Sequence, residues 1–206
     1  MMTDVTGILL AGGKSRRMGV DKRFIIVGER TLFDRSLDAL RSLFHPVLIV
    51  IAQDSPPLDA EVPVLRDLVQ HCGSLGGLYT GLRHASTDHV FLVACDMPFL
   101  NPAVIRYVAG FKGEADIVIA RQGDRLQPTH ALYSRRCLPV IEEMVRAHRV
   151  KLQELVSHPS LQVRLITDAE LERIDPEGRS FLNVNTPSDL DAVRKAHRMT
   201  DPSSSR

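Results

Sequence analysis

No apolar run in this 206-residue chain approaches the roughly 20 residues that a membrane span needs. Residues 1–6, MMTDVT, lack the charged start and long apolar stretch of a signal peptide. Cysteine is scarce and odd in number: Cys72, Cys95 and Cys137, with no CxxC spacing. That argues against a disulfide scaffold or a zinc cluster and favours a reducing, cytoplasmic setting. An excess of one charge is missing too. The formal net charge is +1, which excludes the bulk basicity of a general nucleic-acid binder. The eight histidines show no HExxH or similar ligand spacing. There is no internal repeat and no linker long enough to divide the chain. What is present is ordinary for a soluble globular protein: 44% apolar and 25% charged residues, in a length sufficient for one core.

Apolar strand-like runs alternate with helix-like segments. Strands are expected at Thr6–Leu10, Pro46–Ala52, Val62–Leu65, His89–Ala94, Asp116–Ala120, Ala131–Ser134, Leu161–Ile166 and Phe181–Asn185. Leu32, Phe33, Ser36, Leu37, Leu40 and Phe44 fall at helical spacing and predict a helix near 31–43. Further helices are expected at Gly76–Ala85, from Pro102 to about Gly110, at 136–147, at 151–157, and from Pro187 to about Arg198. This alternation predicts an α/β fold: one domain over 1–198, three layers, α/β/α, around a mostly parallel sheet. Residues 199–206, a polar tail, are expected to be disordered. In such sheets ligands bind outside the carboxyl ends of the strands.

Four stretches at those ends carry chemistry. In GILLAGGKSRRMGVDKRF, Gly7 to Phe24, an apolar strand leaves through Gly12 and Gly13 into concentrated positive charge. Glycines let backbone N–H groups face a ligand, and Arg16, Arg17 and Lys22 can meet phosphate oxygens. The spacing is neither a Walker A loop nor GxGxxG, and a solvated basic βα turn is the alternative. In LVACDMPFLNP, Asp96 follows a strand directly. It can hold Mg²⁺ shared with substrate phosphates, or cap a turn before the next helix. Asp67, in VLRDLV, can approach the same region, or pair with Arg66 or another surface cation.

In CGSLGGLYTGL, Gly73, Gly76, Gly77 and Gly81 form a loop leading into a helix, against which a flat nucleobase can lie. Close helix–sheet packing is the other reading. In FLNVNTPSDL, Asn183 and Asn185 are two apart and share a face if the segment is a strand. Turn formation before a helix competes with that. Thr186, Pro187 and Asp189 read as N-cap, N1 and N3 of a helix. His130 has no partner at nucleophile or metal spacing and is assigned a structural role. Cys95 reads as a buried strand-end residue.

Taken together, LAGGKSRRMGVDK, VLRDLVQHCGSLGGL, VACDMPFL, QPTHALYS and FLNVNTPSDL resemble, in order and spacing, the molybdenum cofactor guanylyltransferases of the Rossmann-like nucleotidyltransferase family. The resemblance covers nearly the whole chain except the tail. It implies transfer of GMP from GTP to molybdopterin, with Mg²⁺ and release of pyrophosphate. By position it assigns Leu10, Ala11, Gly12 and Gly13 to the nucleotide-binding strand and loop. Arg17 and Lys22 become phosphate-contacting cations, Asp67 an acidic nucleotide contact, Gly73 and Gly77 base-side glycines, and Asp96 the metal aspartate. Arg149, Asn183 and Asn185 fall on the molybdopterin side.

The chain departs from the family at Ser74, where Pro is common, and it keeps only Arg149 of an arginine pair. The resemblance further implies a monomer and transient contact with cofactor-synthesis proteins or molybdoenzyme chaperones, with no nucleic acid and no membrane. The rival readings are cytidylyl transfer to the same pterin, nucleotidyl transfer to a sugar phosphate or similar acceptor, and a nucleotide-binding module without catalysis.

Overall fold

The structure, a computed structural model, describes residues 1–12 and 21–200, with side chains through Arg198. The first strand, β1 (Val5–Leu10), is buried at all six positions, as an apolar run covered on both faces must be. A small antiparallel hairpin follows, β2 (Ile26–Val27) and β3 (Arg30–Thr31), turning at Gly28 with φ 66°. It leads into α1 (Leu32–Arg41), whose N-cap Thr31 accepts a hydrogen bond from the Asp34 N–H. Then come β4 (Val47–Ile51), β5 (Val64–Arg66), α2 (Gly73–His84), β6 (His89–Ala94) and α3 (Pro102–Gly110). The chain continues through β7 (Ile117–Gln122), β8 (Arg125–Ser134), α4 (Leu138–Arg146), α5 (Leu152–Val156), β9 (Val163–Ile166), α6 (Asp168–Leu171) and α7 (Pro187–Thr200).

Seven strands form one sheet in the order β5-β4-β1-β6-β8-β7-β9. Only β8 runs antiparallel to its neighbours. Alternate strand residues enter opposite cores. Leu9, Ile49, Phe91 and Val93 pack with α1 and α3, whereas Ile8, Val50, Leu92 and Tyr133 pack with α2, α4 and α5. The expected three layers are therefore present. A third cluster, Ile25, Val27, Leu32, Val184 and Val193, fastens the hairpin to α7.

The topology also places the cleft. From β1 the chain steps outward to β4 and β5, then returns to lay β6 on the other edge of β1. The strand order therefore switches direction between β1 and β6, and a crevice opens at their carboxyl ends.

Four expectations change. The glycine segment is not a loop before a helix, because α2 begins at Gly73 and carries all four glycines. Gly77 and Gly81 lie against Leu10 and Ile8, so helix–sheet contact explains their small size. Phe181–Asn185 is not a strand. A 3-10 turn, Arg179–Phe181, precedes an extended stretch whose Val184 N–H donates to the Asp96 carbonyl at 2.9 Å. The strand expected at Ala131–Ser134 starts at Arg125, since pairing with β7 carries its polar first half. Finally, α7 continues through Thr200, two residues into the expected tail, and 201–206 lie outside the described residues.

Candidate active site

The crevice holds a cavity of about 580 Å³. Its floor is made by the ends of parallel strands, extended by single backbone hydrogen bonds. Ala11 N–H donates to Val50 O at 2.9 Å, Cys95 N–H to Leu10 O at 3.0 Å, and Asp67 N–H to Ile51 O at 2.9 Å. These contacts hold the first residue or so beyond each strand in sheet register. Gly12 continues this path within van der Waals reach of β4. A Cβ there would stand 2.3 Å from the Ala52 nitrogen, so no larger residue fits.

One end of the cavity is built on Asp96. Lys22, in a 3-10 turn at Lys22–Phe24, donates to Asn185 Oδ1 at 2.7 Å and reaches Asp96 Oδ2 at 3.5 Å. Residues 22, 96 and 185 are thus drawn to one point from three segments. Burial pushes the Asp96 carboxyl above the usual aspartate range, and the Lys22 ammonium opposes that. The other carboxylate oxygen, Asp96 Oδ1, is buried with no hydrogen-bond partner. Such an orphan fits a divalent cation, which commonly takes one or two carboxylates plus phosphate oxygens. No cluster of three or more His, Cys, Asp or Glu exists among the described residues, and such a cation would share Asp96 with water or substrate oxygens. Cys95, beside Asp96, is pushed up to about 12 by burial and is not a thiolate nucleophile.

The other end is built on Asp67, which follows β5. Three strand spacings separate it from the β6 end, about 14 Å. Thr80 Oγ1 donates to Asp67 Oδ1 at 2.9 Å, and the Val69 N–H donates at 3.2 Å. Burial pushes this carboxyl up, and those hydrogen bonds oppose the rise. Gly76 makes room for it, since a Cβ would lie 2.7 Å from Asp67 Oδ2. The ion pair considered with Arg66 does not form, because Arg66 donates to backbone carbonyls of Gln53 and Ser55.

Leu10, Ala11, Gly12, Lys22, Asp67, Gly73, Gly77 and Asp96 all line this one cavity. Gly13 and Arg17 lie outside the described residues. Asn185 joins through Lys22. Asn183 does not join it, and instead donates its amide to the Phe181 carbonyl at 3.0 Å. Arg149 pairs with Glu143 at 2.8 Å and lines a separate depression with Lys151 and His158. Sequence reasoning missed Gln53 and Gln70. Gln70 donates to Gln53 Oε1 at 2.5 Å, and Gln53 donates to the Asp67 carbonyl at 2.9 Å. The strand-end rule that finds Asp96 would also have found Gln53, just after the β4 run.

A family model described as a MobA-like NTP transferase domain matches residues 7–163. A probable molybdenum cofactor guanylyltransferase of Pelotomaculum thermopropionicum is 36% identical over 193 residues, covering 94% of this chain and 93% of that protein. The molybdenum cofactor guanylyltransferase of Desulfosudis oleivorans is 36% identical over 197 residues, covering 95% and 96%. Among solved structures, molybdopterin-guanine dinucleotide biosynthesis protein A of Archaeoglobus fulgidus superposes with a TM-score of 0.81 at 24% identity, covering 95% and 100%. At that identity the structural likeness speaks for the fold.

Proposed function

The chain belongs to the MobA-like NTP transferase family, and on that premise we propose that it transfers GMP from GTP to molybdopterin, forming molybdopterin guanine dinucleotide and pyrophosphate. The observation that carries this reading is the single cavity with two built ends. A carboxylate, an ammonium and an amide converge at one, and the half-buried Asp67 carboxylate stands at the other, three strand spacings, about 14 Å, along the sheet. That span suits a base at Asp67 and a polyphosphate at Asp96. The relatives named as guanylyltransferases supply the base and the acceptor.

The chemistry follows from position and charge. A terminal phosphate oxygen of molybdopterin attacks the α-phosphorus of GTP, and the bond from that phosphorus to the α,β-bridging oxygen breaks as pyrophosphate leaves. No protein nucleophile is needed, so the protein contributes alignment and countercharge. Asp96 would hold the divalent ion that the family generally uses, Mg²⁺ in this reading, which when bound supplies charge neutralisation at the phosphates. Lys22 keeps its ammonium between Asp96 and Asn185, where it meets charge on the leaving phosphates. Arg17 and Gly13 keep the phosphate contacts that the family resemblance gives them, and Gly73 and Gly77 the base side. Arg149 and Asn183 remain assigned to the acceptor. The protein works as a cytoplasmic monomer, with transient contacts to other cofactor-synthesis proteins or molybdoenzyme chaperones.

The test is incubation with molybdopterin, GTP and Mg²⁺, followed by mass analysis. The dinucleotide is the expected product. Pyrophosphate release with CTP in preference to GTP would replace guanylyl by cytidylyl transfer. Release with a sugar phosphate and not with the pterin would change the acceptor. No release with any pair would leave a binding module.

A further inference from the structure

Arg23 follows Lys22 and lines the same cavity, yet it is only 4% exposed. Its guanidinium is clamped on one side by Asp21. Nε donates to Asp21 Oδ1 and Oδ2 at 3.0 and 2.9 Å, and Nη2 donates to Oδ2 at 2.5 Å. The Asp21 carboxylate is fixed in turn by the Arg23 backbone N–H at 3.0 Å. The ring of Phe24 packs against the guanidinium, 5.4 Å from centroid to carbon. This leaves one arm. Nη1 is buried and has no hydrogen-bond partner.

A buried charged donor without an acceptor is costly, and native proteins rarely leave one so. The clamp makes the orphan more informative, because it holds the planar fork in one orientation and leaves Nη1 as its one unspent arm. The charges around this point also balance before ligand arrives. Arg23 pairs with Asp21 and Lys22 with Asp96, two positive groups against two negative. The charge of the Arg23 guanidinium is thus already met by Asp21. Arg23 therefore contributes a directed donor more than net attraction.

We infer that Arg23 is a further phosphate-binding residue. Its free Nη1 arm donates to a phosphoryl oxygen of the nucleotide, and of the released pyrophosphate, in the cavity that Arg23 and Asp96 both line. The inference rests on the nucleotidyl-transfer reading above, and it adds a directed donor beside Lys22.

Calorimetry with Mg²⁺-pyrophosphate and with guanosine separates the two ends of the cavity. The variants are R23K, which keeps the charge without the fork, and R23Q, which can still hydrogen-bond Asp21. Urea midpoints identify which of them is folded, and either one suffices. Loss of one charge-assisted hydrogen bond weakens binding about tenfold to a hundredfold. Pyrophosphate affinity should fall by that factor while guanosine affinity stays at the wild-type value. Wild-type pyrophosphate affinity in a folded variant would overturn the assignment and leave Nη1 to a water molecule. An equal fall for guanosine would make Arg23 a structural residue. If the wild-type protein bound guanosine but no pyrophosphate, the nucleotidyl-transfer reading and this inference would both fall. Tight pyrophosphate binding without GTP turnover would fail that reading alone.

Discussion

Lys22 is the residue on which the proposed chemistry turns, and its setting decides what its neighbours do. Its ammonium has two acceptors, Asn185 Oδ1 at 2.7 Å and Asp96 Oδ2 at 3.5 Å. The shorter contact is the better hydrogen bond, so Asn185 sets the position of the cation. Asn185→Ala should therefore let Lys22 collapse onto Asp96. Pyrophosphate release should slow by about one to two decades, the equivalent of one hydrogen bond to a charged group. A variant with wild-type kcat and only weaker pterin retention would return Asn185 to the acceptor side. Asp96→Asn tests the other partner. Asp96 stands at a strand end with one oxygen unsatisfied, and the amide preserves its shape. The variant should keep its urea midpoint close to wild type and lose most metal-dependent turnover. Near-normal kcat at saturating Mg²⁺ would remove Asp96 from the mechanism.

Elements hold these residues in place, and they differ in how well the sequence announces them. The parallel strands β1, β4 and β6 are legible because strands buried on both faces read as unbroken apolar runs. For α3, Asn101 and Pro102 mark the start and Gly110 the end. The hairpin β2–β3 is not legible, since two-residue strands carry no period. Nor is the polar half of β8, whose residues become a strand only by pairing with β7. The same holds in the site. Leu10, Gly12, Asp67 and Asp96 stand at strand ends and can be found from the order of elements. The meeting of Lys22 with Asn185 spans 163 residues of sequence and depends on how the hairpin docks on α7. Arg35 fastens that docking. Its Nε and Nη2 donate to the Val27 carbonyl at 2.9 and 2.6 Å, and Nη2 lies 2.7 Å from His197 Nε2. Arg35→Met should lower stability by roughly 1.5–3 kcal/mol and should also reduce kcat, because the hairpin follows Lys22 directly. Urea unfolding and steady-state turnover check the pair of effects. A stability loss with unchanged kcat would show that Lys22 is held by the Asp96 end alone.

At the scale of the whole molecule, the fold encloses ionisable groups that the chemistry does not use, Tyr133, Cys137 and His130 among them. His130, on β8, is fully buried, with its ring edge-on to Phe91 and Phe181 at 5.3 and 5.0 Å. Neither ring nitrogen has a partner. Burial pulls the imidazole down to about 4 from its ordinary 6.5. Above pH 6.5 it is neutral in both the folded and unfolded states and has no effect on the balance. Between 6.5 and 4 the unfolded chain takes up a proton that the folded protein refuses, so stability falls as pH falls. By about pH 4 the loss from this group reaches roughly 3 kcal/mol, and below that it is constant. Asp67 and Asp96 act in the opposite sense. Their carboxyls are raised by burial, so they favour the folded state at low pH and lose that contribution as pH rises through their folded values. A single acid-unfolding curve therefore mixes both signs, and only a difference between two proteins isolates His130. His130→Leu keeps the site apolar and removes the titration. The wild-type urea midpoint minus that of the variant should fall as pH goes from 7 to 4, because only the wild type carries the His130 penalty. Parallel profiles over that window would mean that the buried imidazole does not carry the acid sensitivity and that its proton finds a partner within the aromatic pair.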